Sequence, residues 1–151
     1  MKFSQKTEYG LRALLELGRR HELDPARPTS ARDVAEAQKI PLRFLEQVLQ
    51  ELKRAGLIQS QRGPAGGNRL AREPSEISVG EVVDVIEGPV VSQASLDPFD
   101  EQARRSAHSA IQELWLDLQI TIRDRLSRVT LADLVRRQEE LDRSSYLMFH
   151  I

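Results

Sequence analysis

Apolar and polar positions alternate with a helical period over most of this chain, interrupted by a few clusters of proline and glycine. Leu11, Leu14, Leu15 and Gly18, widened by Tyr9, Ala13 and Leu17, predict a first helix running from a Ser4 cap to about Arg20. Arg19, Arg20 and His21 fall where cations favour the carboxyl end of the helix dipole. Pro25 and Pro28 then force a loop. Thr29 or Ser30 opens a short second helix, in which Ser30 and Asp33 form an approximate capping box, Val34 and Ala35 face inward, and the end falls near Ala37. Pro41 suits the start of a third helix, Leu42 to about Arg54, because a missing N–H is harmless there.

That third helix carries two faces. Leu42, Leu45, Val48, Leu49 and Leu52 make an apolar stripe, and Arg43, Glu46, Gln47 and Gln50 share a polar one. Helix, tight turn and a second helix with a polar outer face is the helix-turn-helix pattern, whose second helix enters the major groove of DNA. Gly56 is expected to end the helix in the left-handed region. Leu57 to Gln61 reads as a strand, Arg62 to Asn68 as a glycine-rich turn, and Arg69 to Arg72 as the returning strand: a wing bearing Arg62 and Arg69.

Ser78 and Glu81 form a capping box for a helix with Val79, Val82, Val83 and Ile86 inward, stopped by Gly88-Pro89. Residues 90–100 lack periodicity. From about Asp100 to Arg128 the stripe Ile111, Trp115, Leu118, Ile122 and Leu126 predicts a helix about 43 Å long at 1.5 Å per residue. A helix that long overhangs so small a domain. It is expected to pair with its copy in a second subunit, the alternative being that it packs back on its own domain. Thr130 to Asp133 caps a last helix with Leu131, Leu134, Val135 and Leu141 inward. The apolar end Tyr146 to Ile151 either docks on the dimer or is mobile. The expected fold is thus mainly α with a small β-hairpin. Residues 1–88 would form a winged helix-turn-helix domain, and residues 89–151 a loop, a dimerisation helix, a last helix and a tail.

Composition narrows the function. No apolar run approaches the roughly 20 residues needed to cross a bilayer, and the amino terminus lacks a secretory core, so no membrane role and a cytoplasmic location are expected. The absence of cysteine removes disulfides, thiol catalysis and thiolate metal sites. His21, His108 and His150 form no ligand-spaced cluster, and Gly63 to Gly67 lacks the Gly-Lys-Ser/Thr ending of a phosphate loop. No enzyme is expected, and no cofactor. Net charge is −1, but residues 1–72 hold 14 Lys+Arg against 8 Asp+Glu, whereas residues 73–151 hold 8 against 15. A basic front suits a polyanion and an acidic back is kept away from it, although uneven chance would look the same.

The opening Lys2 to Tyr9 with Leu11 to Leu14, the segment Ile40 to Leu49, and Ala55 to Ile58 through Arg62 to Leu70 together resemble the Rrf2 family of bacterial winged helix-turn-helix regulators. The likeness continues through Gly80 to Val83, Leu114-Trp115 and Thr130 to Leu134. The resemblance implies a homodimer that reads double-stranded DNA at a pseudo-palindromic operator, and a repressor is expected. It implies base reading by Arg43, Glu46 and Gln47, with Arg62 in a minor groove. Arginine and glutamine make bidentate contacts to guanine and adenine, and glutamate accepts from cytosine. Glu46 could equally orient a neighbouring arginine. Lys2, Ser4, Lys6, Tyr9, Asn68 and Arg69 are candidates for backbone contacts that position without specifying, and Tyr9 fits the core as well.

Family members that bind an iron–sulfur cluster use cysteines near positions held here by Ser95 and Ser109, and some add a ligand near Glu8. Serine is a far poorer ligand than a thiolate, so a cluster-independent regulator is expected, with a small molecule or a protein as effector. Asp97, Asp100, Glu101 and His108 would suit a hard cation, but charged loops are ordinarily solvated. The other reading is a winged-helix module that regulates a partner protein, with DNA binding secondary.

Overall fold

Hydroxyl side chains start four of the helices. In the computed structural model, which describes residues 3–88 and 110–150, Ser4 accepts from the Thr7 N–H at 3.2 Å and Ser30 from Asp33 at 3.1 Å. Ser78 accepts from Glu81 and Thr130 from Asp133, both at 3.1 Å. Each bond satisfies an amide that a helix leaves without an internal partner. At Thr130 the box closes both ways, its N–H donating to Asp133 at 2.9 Å, and these bonds hold the Asp133 carboxyl below the usual carboxylate range.

The described elements are α1 (Gln5–Leu23), α2 (Ala31–Gln38), α3 (Leu42–Arg54), β1 (Ile58–Gln61), β2 (Gly67–Leu70), a 3₁₀ turn (Pro74–Glu76), α4 (Val79–Glu87), α5 (Ala110–Ser127) and α6 (Leu131–His150). The expected fold, mainly helical with one hairpin, is the one observed. Helix α1 runs through the middle: Ala13, Leu14 and Leu17 meet Val34 of α2, Leu45, Val48 and Leu52 of α3, and the hairpin's Ile58 and Leu70 in a single core. Ile77, Val82 of α4 and Leu131 of α6 complete it. Gly18 lets α6 close on α1, since a Cβ there would lie 2.9 Å from the Val135 side chain. Helix α5 packs on α4, and its turn into α6 is tied down where the Val79 N–H donates to Val129 and the Leu131 N–H to Ile77, both at 2.8 Å.

Several boundaries differ from those the pattern predicts. Helix α1 continues to Leu23, and its buried face centres on Gly10, Ala13, Leu14 and Leu17, leaving Leu11 and Leu15 at the flank. Helix α2 ends at Gln38, where Lys39 takes the left-handed conformation (φ 53°) and the Ile40 N–H closes back on Ala35 at 3.0 Å. Helix α3 ends the same way through Gly56 (φ 75°), as expected. The wing's strands are Ile58–Gln61 and Gly67–Leu70, not Leu57 to Gln61 and Arg69 to Arg72, in the register Ile58–Leu70 through Gln61–Gly67. In α6, Leu131 and Val135 are buried and Leu134 half-buried, but Leu141 is 44% exposed rather than inward. The apolar end is helical to His150. The stretch 100–109 of the predicted long helix lies outside the described residues.

Candidate nucleic-acid interface

Burial of Leu45, Val48, Leu49 and Leu52 against the core turns the opposite side of α3 outward. Arg43, Glu46, Gln47 and Gln50 are all exposed on it, as the spacing predicts. These four, with Glu51 and Arg54, line one shallow depression along the helix. A second cleft runs between α3 and the hairpin, lined by Glu46, Gln50, Lys53 and Arg54 on one side and Ser60 and Asn68 on the other, with Ala31 of α2 at its end. The polar face of α3 is therefore continuous with one face of the wing.

The wing is fastened to the helix-turn-helix by a third, one-residue strand pairing. The Thr29 N–H donates to Asn68 at 2.8 Å and the Asn68 N–H to Thr29 at 2.7 Å. Gly67 makes this possible. It sits at φ 152°, and a Cβ there would collide with the Thr29 backbone. Across the hairpin, the Ser60 hydroxyl donates to the Asn68 side chain at 2.9 Å.

The helix-turn-helix is braced from α1. Arg12 donates to the carbonyl of Gln38 at the end of α2, and the largely buried Glu16 accepts from the Gln38 amide at 3.1 Å and from Arg20 at 2.8 Å. Lys6 forms an ion pair with Glu51 of α3 at 2.5 Å. At the amino end of α1, Glu87 of α4 accepts from the Ser4 N–H at 2.8 Å and from the buried Thr7 hydroxyl at 2.5 Å. These hydrogen bonds from Ser4 and Thr7, helped by the charge of Lys6, hold the Glu87 carboxyl below its ordinary value.

The residues singled out in the sequence do not all converge. Arg43, Glu46 and Gln47 are together, Asn68 faces Glu46 across the cleft, and Arg62 is exposed at the hairpin tip. Arg69 lies on the other face of the wing, as strand alternation requires of Asn68's neighbour, and donates to the Ala26 carbonyl at 3.1 Å and to Gln59 at 3.4 Å. Ser4 serves as a helix cap. Tyr9 is half-buried against the core while its hydroxyl accepts from Gln5 at 2.9 Å. Lys53, Arg54 and Ser60 also line the cleft and were not singled out in the sequence. Repeating the polar face one more turn, from Gln47 to Arg54 and Gln50 to Lys53, would have found two of them.

Helix α5 presents a different surface. Ile111 is 67% and Trp115 58% exposed, and Leu118 is exposed too, whereas Ile122 and Leu126 are half-buried. The carboxyl half of α5 is the seated half: Arg123 pairs with Asp84 at 3.6 Å, and Gly80 lets the backbone at Leu126 and Ser127 come close to α4.

Lys2, Ser95, Ser109 and the acidic group Asp97, Asp100, Glu101 and His108 lie outside the described residues. Among the described residues no three His, Asp or Glu side chains are grouped to hold a metal ion, and no helix is long and apolar enough to cross a membrane.

Residues 3–137 match the family model described as Rrf2, iron-dependent transcriptional regulator. The chain is 35% identical over 134 residues to the HTH-type transcriptional regulator CymR of Bacillus subtilis, covering 89% of each. It is 33% identical over 146 residues to the regulator IscR of Escherichia coli, covering 94% of this chain and 85% of that one. Among solved structures it resembles CymR, the global cysteine regulator of B. subtilis (TM-score 0.73, 34% identity, 91% and 98% of the two chains). It also resembles T. potens IscR (TM-score 0.74, 35% identity, 93% and 90%). The family description names iron, but this chain has no cysteine, so the thiolate donor set of an iron–sulfur cluster does not fit it. The winged helix-turn-helix with its outward polar face and these similarities make the chain a DNA-binding transcriptional regulator and not an enzyme, and it belongs to the Rrf2 family.

Proposed function

We propose that the chain acts as a homodimeric repressor that reads a pseudo-palindromic operator and answers to a signal other than an iron–sulfur cluster. The observation that carries this reading is the single cleft shared by the polar face of α3 and the Asn68–Ser60 face of the wing, fastened by the Thr29–Asn68 pairing. Along this cleft and the adjoining depression on α3, Arg43 and Gln47 contact base edges, and Glu46 accepts from a base or orients an arginine. Arg62 enters the neighbouring minor groove. Ser4, Tyr9 and Asn68 approach the phosphates, and Lys6 joins them by exchanging Glu51 for a phosphate oxygen. Arg69 acts at one remove by holding the loop at Ala26.

The exposed stripe Ile111, Trp115 and Leu118 supports pairing of α5 with its copy, continued by Ile122 and Leu126. In this division residues 1–88 read DNA and residues 89–151 set the separation of two heads, about 34 Å for successive major grooves. A small molecule or a protein that favours one separation by 1–2 kcal/mol would change affinity roughly 5- to 30-fold. A cytoplasmic site of action goes with this reading. The exposed Tyr146, Leu147, Met148 and Phe149 at the end of α6 favour a second reading, in which the winged helix controls a partner protein by contact.

The test is fluorescence anisotropy of the purified protein on its own upstream intergenic DNA against a scrambled duplex, at two salt concentrations. Wild type is expected to prefer its own DNA, Arg43→Ala to lose that preference, and Arg62→Ala to bind more weakly with a shallower salt dependence. Indifference to every duplex at low salt would put the protein-contact reading first.

A further inference from the structure

Phe44 is an aromatic residue that the fold does not use. It lies in the first turn of α3, its N–H donating to the Pro41 carbonyl at 3.0 Å, and its side chain is 44% exposed. The core is filled from this helix by Leu45, Val48, Leu49 and Leu52, with Leu42 as the partly buried residue packed against it. Phe44 instead flanks the polar face, on the edge it shares with Glu51 seven residues on. Helical side chains lean toward the amino terminus, which in a recognition helix is the end that meets the bases.

The ring also has a neighbour. The Arg43 guanidinium carbon lies 5.2 Å from its centroid, so the ring faces the arginine read as the base-contacting one. A guanidinium held against a ring loses less freedom when it engages guanine. The apolar feature of the major groove is the 5-methyl group of thymine, and phenylalanine is among the side chains that recognise it.

We infer that Phe44 is a specificity-determining residue whose ring packs on a thymine 5-methyl beside the base pair that Arg43 contacts. This rests on the proposed base reading by α3, and it adds a thymine to what that helix selects. Removing one methyl from the contact is worth about fourfold in affinity per half-site.

The experiment begins with selection from a random duplex library by wild type, Phe44→Ala, Phe44→Leu and Arg43→Ala. Each thymine of the enriched duplex is then replaced singly by deoxyuridine, which deletes the methyl and leaves the base-pairing edge intact. Wild type is expected to lose about fourfold per half-site at one thymine, next to the position whose preference Arg43→Ala abolishes. Phe44→Leu keeps most of that loss, and Phe44→Ala binds the thymine and deoxyuridine duplexes equally well. Circular dichroism reports that both Phe44 variants are folded. An undiminished deoxyuridine penalty in Phe44→Ala, or no penalty at any thymine in wild type, overturns the inference and leaves the base reading standing. If wild type enriches no sequence, both fall together.

Discussion

Leu45 in α3 and Trp115 in α5 hold equivalent places in the sequence, each at the centre of an apolar stripe with helical spacing. In the folded chain Leu45 has no exposed surface, whereas Trp115 keeps 58% of its own. The stripes of α1, α3 and α4 converge on one core, and little apolar surface of those faces is left over. Among the described residues, the stripe of α5 is seated through its carboxyl half, by Ile122, Leu126 and the approach to Gly80. Periodicity reports that a face is apolar and leaves open what covers it. In the head the cover is intramolecular; at Ile111 and Trp115 none of the described residues supplies one.

Four substitutions probe that contrast. Leu45→Ala should cost about 2–5 kcal/mol of unfolding free energy, because the surrounding core cannot close a cavity of that size. A urea titration reads it, and a loss below about 1 kcal/mol would mean that the head is looser than its burial indicates. Gly67→Ala should cost roughly 1–3 kcal/mol, since the added carbon meets the Thr29 backbone and the φ suits glycine. Its DNA affinity should drop further than Arg62→Ala's if the wing's attachment matters more than its tip. Trp115→Glu should leave the helical content of the head intact while weakening self-association by about tenfold or more, measured by sedimentation equilibrium. Unchanged mass would place the cover of α5 somewhere other than a second copy.

The smallest effect is electrostatic. Glu87 titrates below its ordinary value in the folded chain, so its bonds to Ser4 and Thr7 contribute fully above about pH 4.3 and fade as pH falls through the lowered native value. Glu87→Gln should therefore melt lower than wild type near neutrality, and the two curves should converge in acid. Parallel curves down to pH 3 would show that the clasp between α1 and α4 adds nothing.

The helix starts were legible because each cap is a local interaction between residues three apart, and Ser4, Ser30, Ser78 and Thr130 all make the expected bond. The two faces of α3 were legible for the same reason. The wing's register was not. Gly66-Gly67 reads as turn, yet Gly67 pairs with Gln61 because its missing side chain admits Thr29, a residue distant in sequence. Leu141 keeps its place in the helical pattern but lies about two turns beyond Leu134, where α6 no longer has the core beneath it. Arg69 looked like a partner of Asn68 in contacting DNA, and the alternation of a strand sends it to the opposite face. Lys6 carries a charge suited to phosphate, but its pairing with Glu51 is tertiary and has no signature in the chain.

The pair of hydrogen bonds between Thr29 and Asn68 has a consequence for control. It joins hairpin and helix-turn-helix into one piece, so that on the proposed reading each head would grip its half-site as a unit. On the proposed homodimer reading, a signal would act on the distance between two such grips. Sensitivity to the signal should then track the spacing of an operator's half-sites, and operators that differ only in the letters of each half-site should all respond alike.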